Sequence, residues 1–76
     1  MPHVIIKLLQ GRSDEQKTKL AEAVTKAVME GARVPETAVS VAFEDIAPDR
    51  WTDDVYRPDI QGHWDQLYKK PGYAPS

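Results

Sequence analysis

Apolar and polar positions along the 76-residue chain change rhythm three times. From His3 to about Leu9 the pattern is two-fold: Val4, Ile6 and Leu8 share one face and His3, Ile5, Lys7 and Leu9 the other. Apolar residues on both faces predict a strand that is covered on both sides. Gly11-Arg12 then marks a turn. Ser13 reads as an N-cap, with Gln16 three residues on to complete a capping box and Asp14 and Glu15 in the first turn. Leu20, Ala21, Val24, Ala27 and Val28 recur at helical spacing, with Lys17, Lys19, Glu22 and Lys26 on the solvated side. Gly31 is the predicted C′ stop, and Pro35 lies just beyond it. A second two-fold stretch, Thr37 to Glu44, sets Val39, Val41 and Phe43 against Ala38, Ser40 and Ala42.

Strand, helix and strand in this order predict a β-α-β unit with parallel strands and a right-handed crossover. The rest of the chain is helical or turn-like. Pro48-Asp49-Arg50-Trp51 reads as a turn, Thr52 to Tyr56 as a single helical turn, and Pro58 as the opening residue of a C-terminal helix to about residue 69. Ile60, Trp64 and Leu67 then share a face, with Tyr68 alongside. Lys69 and Lys70 fall in the last turn, and Pro71-Gly72 leads into a short tail. The fold class is α+β, in one domain spanning residues 1–76.

Composition narrows what such a chain can be. A domain this small buries little apolar surface and needs an additional source of stability. It has no cysteine, and its two histidines, His3 and His63, lack ligand spacing. No metal or other cofactor is expected. A two-stranded sheet with open edges is not viable alone, so a second copy of the chain is the expected partner, completing a four-stranded sheet across a dimer axis. Ten basic against twelve acidic residues give a net charge of −2, which provides no electrostatic case for nucleic acid or an anionic membrane. The apolar runs are too short to span a bilayer, and the expected location is cytoplasmic.

The candidate chemistry starts at Pro2. Methionine before a small residue is normally removed, which would make Pro2 a free secondary amine at the head of a strand. An unperturbed α-amino group titrates near about 7.7–8.0. Desolvation and nearby arginine charge lower such a value towards neutrality, where a general base works best. Arg12 precedes a helix N-terminus, where backbone N–H groups and the helix dipole suit an anion and a guanidinium adds a carboxylate-matched fork. Trp51, on a turn, could wall a small apolar pocket, and the neighbouring Arg50 could add positive charge. Trp64 and Tyr68 read as packing residues.

These residues carry a resemblance. Pro2 at the head of a strand, the run Leu9-Gln10-Gly11-Arg12-Ser13-Asp14-Glu15-Gln16-Lys17, the helix and the strand after Pro35 resemble the tautomerase superfamily, in its short 4-oxalocrotonate tautomerase group. The likeness covers roughly residues 2–51. The longer C-terminal part, with Trp51 and Lys69-Lys70-Pro71-Gly72-Tyr73, resembles the dimeric subgroup that includes the bacterial phenylenolpyruvate tautomerase. The resemblance implies cofactor-independent enol–keto isomerisation of a small acid. In it Pro2 matches the amino-terminal general base, Arg12 an arginine that holds a substrate carboxylate, and Trp51 an aromatic that lines the pocket. Ser40 stands where hexameric members carry a second-strand arginine, so an enolpyruvate-type monoacid is expected in preference to a dicarboxylate, and a homodimer in preference to a hexamer. Two alternatives stay open: use of a protonated Pro2 as acid in a hydratase or dehalogenase reaction, with Glu44 or Asp45 activating water, and a non-catalytic dimeric binding module.

Overall fold

The computed structural model describes residues 1–74, and its first 45 residues form a compact β-α-β unit. Strand β1 spans His3–Leu9, helix α1 Asp14–Ala32 and strand β2 Ser40–Ile46. The two parallel strands lie side by side in a two-stranded sheet.

The local chemistry of α1 begins as its sequence dictates. The Ser13 hydroxyl accepts from the Gln16 backbone N–H at 3.2 Å, while the Gln16 side chain accepts from the Ser13 N–H at 2.9 Å. This reciprocal capping satisfies two of the N–H groups that every helix start leaves unpaired. Leu20, Ala21, Val24, Thr25, Val28 and Met29 are half-buried, a continuous stripe at three- and four-residue spacing, whereas Ala27 is exposed. Lys17 belongs to this inward stripe and not to the solvated face. It pairs with Asp45 at the end of β2 at 2.5 Å and ties helix to strand.

The helix does not stop at Gly31. It runs through Ala32, and Arg33 takes the left-handed reversal at φ 56°, ψ 57°. Pro35 is the cause. A residue before proline is sterically excluded from helical backbone, so the chain must leave the helix before Val34, and Arg33 is the residue in place. Its N–H and that of Val34 both return to the Met29 carbonyl. Pro35 also delays the second strand. Glu36–Ala38 forms a 3₁₀ turn, with the Ala38 N–H donating to the Pro35 carbonyl at 3.0 Å, and β2 starts at Ser40 instead of Thr37.

No side chain before Val55 is fully buried, and Ile5 and Leu9 are 55% and 42% exposed. Both lie on the β1 face opposite Val4, Ile6 and Leu8. Phe43 of β2 lines a groove along α1, so the helix covers only one face of the sheet.

A second compact unit begins at Ile46. Pro48–Arg50 is a 3₁₀ turn, Thr52–Ile60 a wide π-helical stretch and Gln61–Gln66 a further 3₁₀ segment. The expected helix opening at Pro58 is therefore displaced. Helical backbone is under way by Pro48, Pro58 lies inside it, and it ends at Gln66, leaving Lys69 and Lys70 beyond the last turn. The ring of an internal proline clashes with the carbonyl four residues back in a narrow α-helix. The wider π turn gives the ring room and accounts for the unusual geometry here. Val55 and Tyr56 form the fully buried core of this unit. Trp64 is 38% exposed, with Lys70 Nζ 5.7 Å from its ring centre, and Tyr68 is fully exposed, so neither is a core packing residue.

Candidate active site

Pro2 immediately precedes β1 and is half-buried. Its carbonyl accepts from the Ser40 backbone N–H at 3.2 Å, which fixes the head of β1 against the start of β2. A 2.6 Å hydrogen bond between His3 Nδ1 and Ser40 Oγ reinforces the same junction from the side chains. The strands thus bring Pro2, His3 and Ser40 together. In the sequence His3 reads as a strand residue with a local hydrogen-bond partner, close to Pro2; the strand register shows that this partner is Ser40.

Arg12 is at the other end of β1. Gly11, at φ 118°, makes the turn out of the strand in a conformation that disfavours any side chain. Arg12 Nη1 then donates back to the Leu9 carbonyl at 3.1 Å. The seven residues of β1 intervene between this guanidinium and Pro2. At a rise of about 3.3 Å per residue they hold the two groups roughly 20 Å apart. One protomer does not bring Pro2 and Arg12 together.

Trp51 and Arg50 belong to the second unit. The Trp51 indole N–H donates to the Tyr73 hydroxyl at 2.9 Å, and the Tyr73 ring lies 5.6 Å from that of the buried Tyr56, tilted by 50°. Trp51 is therefore held in one orientation by a residue that reads, in sequence, as tail. Arg50 grips Asp54 with two nitrogens, at 2.6 and 3.3 Å, and has Asp53 at 3.8 Å. The hydrogen bond to Asp54, together with its charge, raises the Arg50 guanidinium above its ordinary value. Its charge is matched within its own segment, which leaves little to offer an anion.

An open groove of about 670 Å³ follows α1, between Thr18, Ala21, Thr25 and Met29 and the ring of Phe43. Neither Pro2, Arg12 nor Ser40 lines it. Asp14, Lys17, Glu22, Lys26 and Glu36 also border the groove, so it is charged at its rim but stands apart from the strand ends that carry Pro2 and Ser40.

Comparison with known proteins identifies the family. The family model described as "Tautomerase enzyme" matches residues 2–54. A probable tautomerase of Xylella fastidiosa is 41% identical over 74 residues, which cover 97% of this chain and 90% of that protein. Tautomerase PptA of Pectobacterium carotovorum is 41% identical over 75 residues, covering 97% and 99%. Among solved structures, YwhB, a homologue of 4-oxalocrotonate tautomerase, superposes with a TM-score of 0.61 at 44% identity, over 63% of this chain and 79% of that one. TomN, a 4-oxalocrotonate tautomerase homologue of the tomaymycin biosynthetic pathway, gives 0.64 at 40% identity, over 66% and 77%. The chain belongs to the tautomerase family, a class of isomerases.

Proposed function

We propose that the protein is a cofactor-independent tautomerase of enolpyruvate-type 2-oxo acids, working as a homodimer, with Pro2 as general base once Met1 is removed. The observation that carries this reading is Pro2 itself, held by its carbonyl to the Ser40 N–H at 3.2 Å on the rigid end of a sheet. A base fixed at one end of a strand loses little orientational freedom when substrate arrives.

The proton balance is simple. In ketonisation, the Pro2 nitrogen takes the proton of the enol 2-hydroxyl. The O–H electron pair becomes the C2=O π bond. The former C2=C3 pair takes a proton from the prolinium to form the new C3–H bond, and the amine is restored.

Arg12 supplies the carboxylate anchor, and the length of β1 requires that it come from a second copy. Two β1 strands paired antiparallel about a two-fold axis set the Leu9 end of one copy beside the His3 end of the other. Each Pro2 then faces the partner copy's guanidinium. Trp51, oriented by Tyr73, is read as an apolar wall for the substrate.

The test follows phenylenolpyruvate ketonisation by ultraviolet absorbance, with the intact mass of the chain measured in parallel. Chain lacking Met1 is expected to turn over. The Pro2→Ala variant loses about 10²–10⁴-fold in kcat, the usual contribution of positioned acid–base catalysis. Undiminished turnover in that variant removes Pro2 from the mechanism.

A further inference from the structure

The junction of the two strands holds a polar pair beyond the proline. His3 Nδ1 and Ser40 Oγ are 2.6 Å apart, both side chains are exposed, and the Ser40 backbone N–H is on the Pro2 carbonyl. The exposed Ser40 hydroxyl thus lies at the same strand ends as Pro2.

What that hydroxyl presents depends on one hydrogen. Serine has a single O–H donor and two lone pairs. If the hydroxyl donates to a bare Nδ1, its hydrogen is consumed within the protein and only lone pairs face outward. Those lone pairs repel the oxygens of an acid substrate. If Nδ1–H is the donor, Oγ accepts, and its own hydrogen is left to point outward. Acceptance of a hydrogen bond also polarises the O–H and strengthens the bond it makes next.

We propose that His3 is a positioning residue that donates from Nδ1 to Ser40 Oγ, so that the Ser40 O–H donates to the 2-oxygen of the substrate as charge develops there. The proposal rests on the reading of Pro2 as the base. It gives Ser40 a defined part in the reaction: a neutral donor for one oxygen, where a guanidinium would grip two. Such a site accepts a monocarboxylic 2-oxo acid and offers nothing to the second carboxylate of a diacid.

The experiment uses the full chain without Met1 and the phenylenolpyruvate assay. Ser40→Ala is expected to lower kcat about 10²-fold, the low end for losing one donor to a developing oxyanion, with KM little changed. His3→Leu lowers kcat in the same direction, and His3→Gln, whose amide N–H can replace the imidazole donor, recovers most of the loss. An unchanged kcat in Ser40→Ala, or equal losses in His3→Leu and His3→Gln, overturns the proposal. Nitrogen-15 NMR of the His3 ring at mildly alkaline pH gives a readout independent of turnover. A proton on Nδ1 supports the assignment, and a proton on Nε2 with a bare Nδ1 overturns it. Pro2→Ala separates the two ideas: full activity there with a loss in Ser40→Ala removes the base and keeps the donor, and the converse result removes only the donor.

Discussion

Arg33 shows how a single residue can bear a conformation that its neighbours impose. It adopts φ 56° because Pro35 forbids the helix to continue, while Gly31, the residue best suited to reversal, lies two positions early in regular helix. A side chain in left-handed backbone costs about 1–2 kcal/mol, and glycine in a helix interior about 0.5–1 kcal/mol relative to alanine. A Cβ at Gly31 meets nothing within 4 Å. Exchange of the two features, as Gly31→Ala with Arg33→Gly, is therefore expected to stabilise the fold by about 1 kcal/mol, allowing for the flexibility the new glycine gives the unfolded chain. In a chain this short that is a rise in Tm of roughly 4–8 °C, read by calorimetry at matched protein concentration, since the melting of an oligomer depends on concentration. An unchanged or lower Tm would mean that Arg33 bears no such strain. Gly11 answers the opposite way. At φ 118° it has space but not the conformation for a Cβ, so Gly11→Ala is expected to distort the turn that carries Arg12 and to raise KM more than it lowers kcat.

Among the elements, the segment after β2 departs most from what periodicity predicts. Tyr73 fixes Trp51 through a 2.9 Å hydrogen bond and packs against the buried Tyr56. Tyr73→Phe keeps the ring and removes the hydroxyl. In a Trp64→Phe background, where Trp51 is the remaining tryptophan, the variant is expected to show broader and weaker indole anisotropy and a KM raised several-fold, with kcat nearly unchanged. Anisotropy identical to that of the background protein would mean that the bond does not orient the indole. These two links also mark the boundary of what the sequence carries. The capping box at Ser13 and Gln16 and the bounds of β1 are local patterns, and they appear in the structure where the residues place them; the α1 stripe does so apart from Ala27, which is exposed, and Lys17, which turns inward. Pro58 suggests a helix start because proline is common at that position, yet a π turn accommodates it internally. Tyr73 meets Trp51 at a separation of 22 residues, beyond the π and 3₁₀ turns between them, and no period reports such a contact. The His3–Ser40 pair is hidden for a related reason: each strand is legible alone, but their register is not.

At the scale of the whole molecule, the roughly 20 Å that β1 sets between Pro2 and Arg12 is the feature that the proposed dimer answers. Complementation tests this directly. Pro2→Ala and Arg12→Ala chains are each expected to be nearly inactive. After mixing and subunit exchange, heterodimers contain one site with both native residues, and random pairing restores roughly a quarter of wild-type activity. If Arg12 served its own Pro2, no mixture would recover. Sedimentation of the wild-type chain as a stable monomer would refute the arrangement as a whole.

The length of β1 also governs how the two sites of such a dimer affect each other. Each site would sit at one end of the paired strands, so their separation is again about 20 Å, against a Debye length near 8 Å at physiological ionic strength. An anion bound at one end is screened from the other, and the proton carried by one proline is not felt by its twin. Saturation should be hyperbolic with a Hill coefficient of one, and cooperativity should emerge only as salt is withdrawn and the screening length grows to span the strand.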